Sequence, residues 1–588
     1  MLSKLKFLLK YTHQYRWWYT GGIIFLILTV WTSITIPGFI QKTIDLIAAG
    51  RAGNESEFHK NVLIIVGLAV GLILVRTLSR ILIFFPARLI ERQLKGEMFQ
   101  KLASFGKDYY DKNSTGNIIS RVNNDINGVR MITGFGILQI GNILLSLSLT
   151  PYMMWKLSPM LTLYCIIPMV VVFFIVRYGM KVMVKNTHAR MDTLQMLSGK
   201  IISFLSGNSV IKSYNIYEHA ENKVETDNIS YYEASLKISW IRSFVIPLLG
   251  NLGQILKIII FFVGGMYVIN GKFTIGELTE YIAYAALLAH PIMGLGWVLT
   301  IFQQGMVGIS SIQTIMDRKG TDDERKSLPE SKKKELFKEG IRVENLNYTY
   351  HNGDKPVLKD ISFSIKPGQI VGITGKVGSG KTTLIQILNG YLRPGAGQIF
   401  YGDIDADSIR SEDIRSVVNT VSQEVFLFSD SIENNIGLTS DETIDEKRFD
   451  DVIFKSAFAD ELLRFPKKGK TMVGEKGIML SGGQKQRISL ARALYTQGEL
   501  LILDDVFSAV DTDTERFLIK QIVENYAVKS MVVISNRVSV LEKTDFTIVL
   551  EDGKMAAIGN HEELLKYSDF YRDIAKLQQK GETKKERE

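Results

Sequence analysis

Cysteine is nearly absent: Cys165 stands alone in 588 residues. An intrachain disulfide framework is thereby excluded. Cys165 lies inside an apolar run, so it reads as a buried inert thiol rather than a nucleophile. Charge is also missing from long stretches of the first half, while the second half is mixed and polar. With 46% hydrophobic and 22% charged residues, the chain is neither wholly disordered nor collagen-like. Its length suits about three to four domains of about 150 residues. The net charge of +9 and pI of about 9.1 suit a membrane protein with basic cytoplasmic loops better than a nucleic-acid binder.

A bilayer-spanning helix needs roughly 20 mostly apolar residues. Six such stretches precede residue 320: Trp17–Ile40, Val62–Phe85, Ile132–Trp155, Leu161–Met180, Phe244–Ile269 and Leu278–Phe302. The first is no cleaved signal peptide, because it is long, holds Trp17, Trp18 and Trp31, and has Pro37 in place of a small-residue cleavage pattern. Short connectors holding Arg51, Lys156 and Lys272 join the spans in pairs. The longer polar stretches between pairs are richly basic, as from Arg177 to Arg242, and so is the N-terminus. Positive charge collects inside, which puts the N-terminus and the long stretches in the cytoplasm. Those stretches keep helical apolar spacing, as at Leu89, Leu94, Met98 and Leu102. The spans are therefore expected to continue as helices far beyond the membrane. They turn at Asn113-Ser114-Thr115-Gly116 and at Ser206-Gly207-Asn208, where they can meet a cytoplasmic domain.

Residues 317–340 are charge-dense, have no aromatic except Phe337, and read as a solvated linker. Beyond them, short apolar strands alternate with helical patterns, the mark of an α/β domain. The strand-like run Gln369–Ile373 leads into Gly375-Lys376-Val377-Gly378-Ser379-Gly380-Lys381-Thr382 and then a helical stretch from Thr383, which is G-x-x-x-x-G-K-T in strand–loop–helix context. Glycines let backbone N–H groups converge on phosphate oxygens, and the helix N-terminus adds partial positive charge. Lys381 is placed to reach β- and γ-phosphates, and Thr382 to offer a hydroxyl to Mg²⁺. About 120 residues on, Leu500-Leu501-Ile502-Leu503-Asp504-Asp505 reads as a buried parallel strand delivering carboxylates at its C-terminal end. Asp504 would hold Mg²⁺ directly or through water.

Between these motifs stands Leu480-Ser481-Gly482-Gly483-Gln484-Lys485-Gln486-Arg487. With it, the chain resembles ATP-binding cassette (ABC) proteins, and the order of spans before a cassette resembles exporter half-transporters. Tyr109-Tyr110-Asp111-Lys112, with Thr115-Gly116, Ser120-Arg121 and Asp125, is similar to the first intracellular loop of such exporters. The resemblance implies a six-helix membrane domain with long cytoplasmic extensions followed by an α/β P-loop domain. The expected limits are 1–316 for the membrane domain, 317–340 for the linker, 341–580 for the cassette and 581–588 for a charged tail.

The resemblance also implies residue roles. Tyr350 would stack on adenine, Gly375 to Thr383 would bind the nucleotide, and Gln423 would sense the γ-phosphate and join Thr382 and Asp504 around Mg²⁺. Thr471–Gly477 resembles the segment before the signature, and Ser508-Ala509-Val510-Asp511 the loop that crosses between cassettes. Leu480, Ser481, Gly482, Gly483 and Gln484 would serve ATP on a second cassette, so a dimer is required. Two positions depart from the family. Asp505 stands where the family places a glutamate base, and Asn536 where it places a histidine. Aspartate is about 1.5 Å shorter, and asparagine cannot carry the proton. The pattern resembles the degenerate-site subunit of bacterial heterodimeric multidrug exporters, with a homodimer as the other arrangement.

Aromatic and Met residues in the spans suit amphipathic, often cationic drugs or lipids. Phe135, Lys257, Trp297 and Phe302 are the substrate candidates, Lys257 because a mid-membrane lysine is functional by default. The expectation is thus a multi-pass cell-membrane subunit that hydrolyses ATP to move such molecules out, with cassette and N-terminus cytoplasmic and no nucleic-acid partner. Peptide export and a nucleotide-gated regulatory role are the alternatives.

Overall fold

The computed structural model describes the whole chain except residues 1, 51–54, 323–324, 334, 351–352, 354, 439–443, 475–478, 497, 509, 525–529 and 586–588. Arg51, Glu475–Gly477 of the pre-signature segment, Ala509 of the crossing loop, and parts of the linker and tail lie outside the described residues. The chain forms two compact units. One comprises Met1–Leu102 and Thr115–Arg318; the other comprises Ala103–Ser114 and Lys319–Glu588.

The first unit is helical. Among the described residues, five helices are long and apolar enough to cross a membrane: Arg16–Ala48, Glu55–Ala103, Thr115–Leu157, Pro159–Ser206 and Tyr217–Ile269. A sixth long helix, Ile275–Met316, covers the last of the expected spans. The helices outrun the apolar stretches, as the periodicity predicts. Glu55–Ala103, with 49 residues, is roughly 74 Å long at 1.5 Å per residue, more than twice the hydrocarbon thickness of about 30 Å. Local chemistry sets the tight turns. Ser158 accepts from the Leu161 N–H with Pro159 at the first helical position, and Thr274 forms a reciprocal capping box with Glu277, which satisfies otherwise orphaned helix donors. Small residues let helices approach. A Cβ on Gly308 would sit 2.6 Å from the Asp125 carbonyl oxygen, so only glycine allows that crossing. Cys165 is buried with Leu161, Leu256 and Tyr281 in this unit's core.

The second unit is α/β. Its strands are β1 (Ile341–Tyr348), β2 (Leu358–Ile365), β3 (Ile370–Gly375), β4 (Ile399–Tyr401), β5 (Ile404–Asp405), β6 (Val418–Val421), β7 (Leu500–Asp504), β8 (Met531–Ile534), β9 (Phe546–Glu551) and β10 (Lys554–Gly559). An antiparallel sheet runs in the order β2-β1-β4-β5 and a second sheet β10-β9-β3-β8-β7-β6. In the second sheet β9, β3, β8, β7 and β6 are parallel. All five residues of β7 and all four of β8 are buried, as continuous apolar runs covered on both faces must be. β3, β8 and β7 lie side by side, so their carboxyl ends open onto one edge, where ligands bind in open α/β sheets.

Two observations differ from the sequence reading. The stretch read as a solvated linker is fastened to the cassette unit. Asp322 pairs with Arg393 at 2.5 Å and accepts from the Ser411 N–H, the Leu328 N–H bonds Asp413, and Leu336 and Phe337 are buried in the cassette core. Asp322, Arg325 and Lys333 find partners some 70 to 90 residues away, which local composition cannot reveal. Ala103–Ser114 also groups with the cassette unit, and the Thr321 N–H bonds the Ser104 carbonyl at 3.0 Å.

Candidate nucleotide-binding site

The loop after β3 is shaped by backbone torsion. Gly375, Gly378 and Gly380 have φ of +151°, +82° and +99°, a region L side chains rarely enter. Gly380 is the N-cap of the helix Lys381–Leu388, and a Cβ there would lie 2.6 Å from Leu358 Cδ2. The loop folds over the Lys381 ammonium, which donates to the carbonyls of Gly375 at 2.7 Å and Lys376 at 2.8 Å.

A cavity of about 330 Å³ opens at this edge. Val377, Gly378, Ser379, Gly380, Lys381, Thr382 and Thr383 line it from the loop and helix, Asp504 and Asp505 from the end of β7, and Asn536 from the turn after β8, with Gln423 following β6. Thus the loop, the two carboxylates, Gln423 and Asn536, distant in sequence, meet at one cavity. Tyr350 does not line the cavity. Its hydroxyl lies 2.9 Å from Thr383 Oγ1, and its ring meets Tyr348 edge-on. Gly375 and Lys376 are not among the lining residues either; their carbonyls hold Lys381.

Burial dominates the electrostatics of the site. Burial, with the adjacent Asp505 charge, pushes the Asp504 carboxyl up to about 6 against the pull of Lys381. Burial also raises Asp505 and lowers Lys381. Ser379 is 3% exposed and its buried hydroxyl has no partner among the described residues. Glycine-shaped backbone, an orphaned hydroxyl, one ammonium and two carboxylates fit a polyphosphate carrying a divalent cation. Among the described residues no cluster of three or more His, Cys, Asp or Glu forms a metal cage, so a cation here would need phosphate oxygens as further ligands.

The signature residues lie outside this cavity. Ser481 and Gln484 form a reciprocal cap, with the Gln484 N–H donating to Ser481 Oγ at 3.2 Å and the Ser481 N–H to Gln484 Oε1 at 3.0 Å. They open the helix Gly482–Thr496 with Ser481 exposed. Leu480 is buried and anchors the cap in the core.

Several supporting residues escaped the sequence reading. Asp505 sits at φ +54°, its N–H on the Ile534 carbonyl at 3.1 Å, its carbonyl accepting from Gln486 Nε2 at 3.2 Å and Ser508 Oγ at 2.9 Å. Thr374 Oγ1 donates to Asn536 Oδ1 at 2.8 Å. Gln578, on the C-terminal helix Asp569–Lys585, donates to the Asn536 carbonyl at 2.7 Å and accepts from the Val538 N–H at 2.8 Å. Apart from the local Ser508 bond, these contacts join segments distant in the chain, which no motif marks.

The substrate candidates are scattered. Lys257 borders an open groove with Gln254 and Phe261 on one helix, Trp297 is 69% exposed, and Phe135 and Phe302 are half-buried. None lines the polar cavity of the membrane unit, where Gln139 lies with Arg76 and Arg80. Both arginines were passed over in sequence, although two cations four residues apart in an apolar run were the available signal.

Residues 19–292 match the family model described as ABC transporter transmembrane region, and residues 358–508 that described as ABC transporter. The chain is 31% identical to the "Probable multidrug resistance ABC transporter ATP-binding/permease protein YheI" of Bacillus subtilis, over 98% of each chain. It is 27% identical to the "Multidrug resistance-like ATP-binding protein MdlA" of Escherichia coli, over 95% of this chain and 94% of the other. It is 30% identical to the "ATP-dependent lipid A-core flippase" of Pseudomonas aeruginosa, over 83% and 80%. A solved structure described as a bacterial Atm1-family ABC exporter with ATP bound superposes with a TM-score of 0.79 at 21% identity, covering 96% of this chain and 99% of that one. With the nucleotide cavity, the long apolar helices and these likenesses in hand, the chain belongs to the ABC transporter family, a membrane protein in which ATP hydrolysis is coupled to transport.

Proposed function

We propose that this chain is one half of a heterodimeric exporter that moves amphipathic drugs or lipids out of the cell, and that its own nucleotide site binds ATP but hydrolyses it poorly. The observation that carries the second part is the meeting of Asp505 and Asn536 in the cavity that holds Lys381. Asn536 already spends its Oδ1 on the Thr374 hydroxyl, and an amide has no proton to relay at neutral pH. In this reading, the backbone from Gly375 to Gly380 and the Lys381 ammonium hold the phosphates, with Thr383 bracing Tyr350 beside the adenine. Thr382, Gln423 and Asp504 would hold Mg²⁺, which neutralises developing phosphate charge when bound. The exposed cap at Ser481 to Gln484 faces the partner's ATP. The names of the relatives, multidrug and lipid transporters, support the substrate class. The membrane domain is assigned to 1–316 and the cassette to 341–580.

The test is transport by inside-out vesicles from cells expressing the chain with and without a second half-transporter carrying Glu and His at the two altered positions. ATP-dependent, vanadate-sensitive accumulation of a fluorescent amphiphile is expected only with both. Equal accumulation by this chain alone would establish a homodimer instead.

A further inference from the structure

The turn after β8 carries Asn536 into the nucleotide cavity. Thr374, on β3, donates to the Asn536 Oδ1 and leaves Nδ2 without a protein partner among the described residues. The backbone of the turn is held differently. The Asn536 carbonyl accepts from Gln578 Nε2 at 2.7 Å, and the Val538 N–H donates to Gln578 Oε1 at 2.8 Å. Val538 opens the short helix Val538–Leu541, whose N-cap residue, Arg537, gives no side-chain cap. The first N–H groups of a helix have no acceptor within it. Here the missing cap comes from a side chain 40 residues on. Arg537 is engaged on another side, paired with Glu515 and donating to the Ser508 carbonyl at 3.3 Å.

Gln578 belongs to the docking face of the C-terminal helix Asp569–Lys585. Tyr571, Ile574, Ala575 and Gln578 fall at i, i+3, i+4 and i+7, one stripe along a helix. Tyr571 and Ala575 are buried, and Tyr571 and Ile574 pack with Leu541 and Leu564. The Tyr571 hydroxyl meets His561 Nδ1 at 2.9 Å. The C-terminal helix therefore grips the short helix at both ends, its first N–H through the Gln578 amide and its last residue, Leu541, through apolar contact. At the last position of an apolar stripe a leucine would bury more surface. The amide instead matches one donor and one acceptor to a carbonyl and an N–H that have no other partner among the described residues. Docking of the helix rests on Tyr571 and Ala575, so loss of the amide frees the turn without detaching the helix.

We infer that Gln578 is a positioning residue of the nucleotide site: through it the C-terminal helix sets where the side chain at position 536 meets the terminal phosphate, and through it the helix responds to that phosphate. Thr374 restrains only the end of a rotatable side chain, whereas Gln578 restrains the peptide from which that side chain springs. With one restraint gone the turn can shift by about 1 Å, a displacement that can cost a reacting group about a hundredfold in rate. Lys381 and the glycine-rich loop, which bind the phosphates, are not touched by the change. The effect therefore falls on turnover and on the response to the terminal phosphate, and ATP affinity holds. The inference rests on ATP filling this cavity, and neither on the heterodimer nor on impaired hydrolysis.

The test is amide hydrogen exchange of the full chain in the complex it forms, with Mg²⁺ and either ADP or a non-hydrolysable ATP analogue. In the unmodified protein the analogue should slow exchange relative to ADP by about threefold or more, both at the turn and across residues 575–579 of the helix. General loosening speeds exchange in both nucleotide states alike and leaves that ratio unchanged. Gln578→Leu should abolish the ratio on the helix. Gln578→Glu, which keeps the acceptor for the Val538 N–H and loses the donor, should fall between. Leu577→Ala, at an exposed neighbour on the same helix, should match the unmodified protein. No difference between nucleotides on the helix of the unmodified protein, an undiminished difference in Gln578→Leu, or an equal loss in Leu577→Ala would overturn the proposal. Turnover gives a second readout. In the protein carrying Asp505→Glu with Asn536→His, adding Gln578→Leu should remove most of the gained kcat with KM held within about twofold; a gain that survives intact would also overturn it. Failure of the double change to add turnover would sink the impaired-site reading alone, and the exchange ratio would still decide the role of Gln578.

Discussion

Replacing Asp505 by alanine should cost little ATP turnover, whereas replacing Ser481 by tyrosine should cost most of it. The reason lies in how Asp505 is held. Its backbone sits in the left-handed region, with its N–H on Ile534 and its carbonyl on Gln486 and Ser508. Pinned on both sides, it cannot advance to make up the missing methylene, about 1.5 Å of reach. A displacement of about 1 Å can cost about a hundredfold in rate, so the site is already slow and alanine removes little more. Ser481 acts at the other site, where loss of a charge-stabilising donor costs about 10²–10³-fold, or about 3–4 kcal/mol. Its lost helix cap accounts for only about 1 kcal/mol of stability, too little to explain such an effect. Steady-state ATPase of the assembled complex decides the matter. Asp505→Ala should retain at least about half of turnover, where loss of a working general base would remove about 10²–10⁴-fold. The double change Asp505→Glu with Asn536→His should add turnover. Abolished turnover in Asp505→Ala beside an active Ser481→Tyr would refute the reasoning and make Asp505 a working base.

Three further outcomes are expected. Lys381→Ala should weaken ATP binding at this chain's site about tenfold or more, with the partner's site still filled, as read by fluorescent nucleotide titration. Gln578→Leu removes two hydrogen bonds to the turn at Asn536–Val538; at about 1 kcal/mol each, amide exchange there should quicken by about tenfold or more while ATP affinity holds. Although burial alone would raise the Asp322 carboxyl, Arg393 and Ser411 hold it below the ordinary carboxylate range. Its contribution is therefore full above the unfolded value of about 3.8 and fades as pH falls below that; Asp322→Asn should cost about 2 kcal/mol at pH 7 and flatten this acid dependence in thermal unfolding.

What the sequence made legible was local or strictly spaced. Gly375 to Thr382 and Leu500 to Asp504 are read from neighbours in the chain, and the sheet brings them together because β3, β8 and β7 are adjacent. The long helices follow from periodicity that persists past the apolar runs. What escaped depended on distant partners or on averaging. The segment around Asp322 looked solvated because Arg393 and Ser411 lie far along the chain. Arg76 and Arg80 were averaged away in a helix that is strongly apolar as a whole. The left-handed backbone of Asp505 has no signature in residue type, since aspartate occupies ordinary regions as readily.

The grouping of Ala103–Ser114 with the cassette has a consequence during synthesis. The bond between the Ser104 carbonyl and the Thr321 N–H joins positions more than two hundred residues apart. At about 5–20 residues per second, the early segment waits about 10–40 s for its partner to emerge. Loop closure over that span costs only logarithmically more than over a short one, so the price is delay rather than stability. For that interval the nascent chain carries Phe105 and Tyr109, both nearly buried in the finished protein, without the surface that completes them. Chaperone engagement, and sensitivity to a ribosomal pause before Lys319, are the natural places for this delay to register.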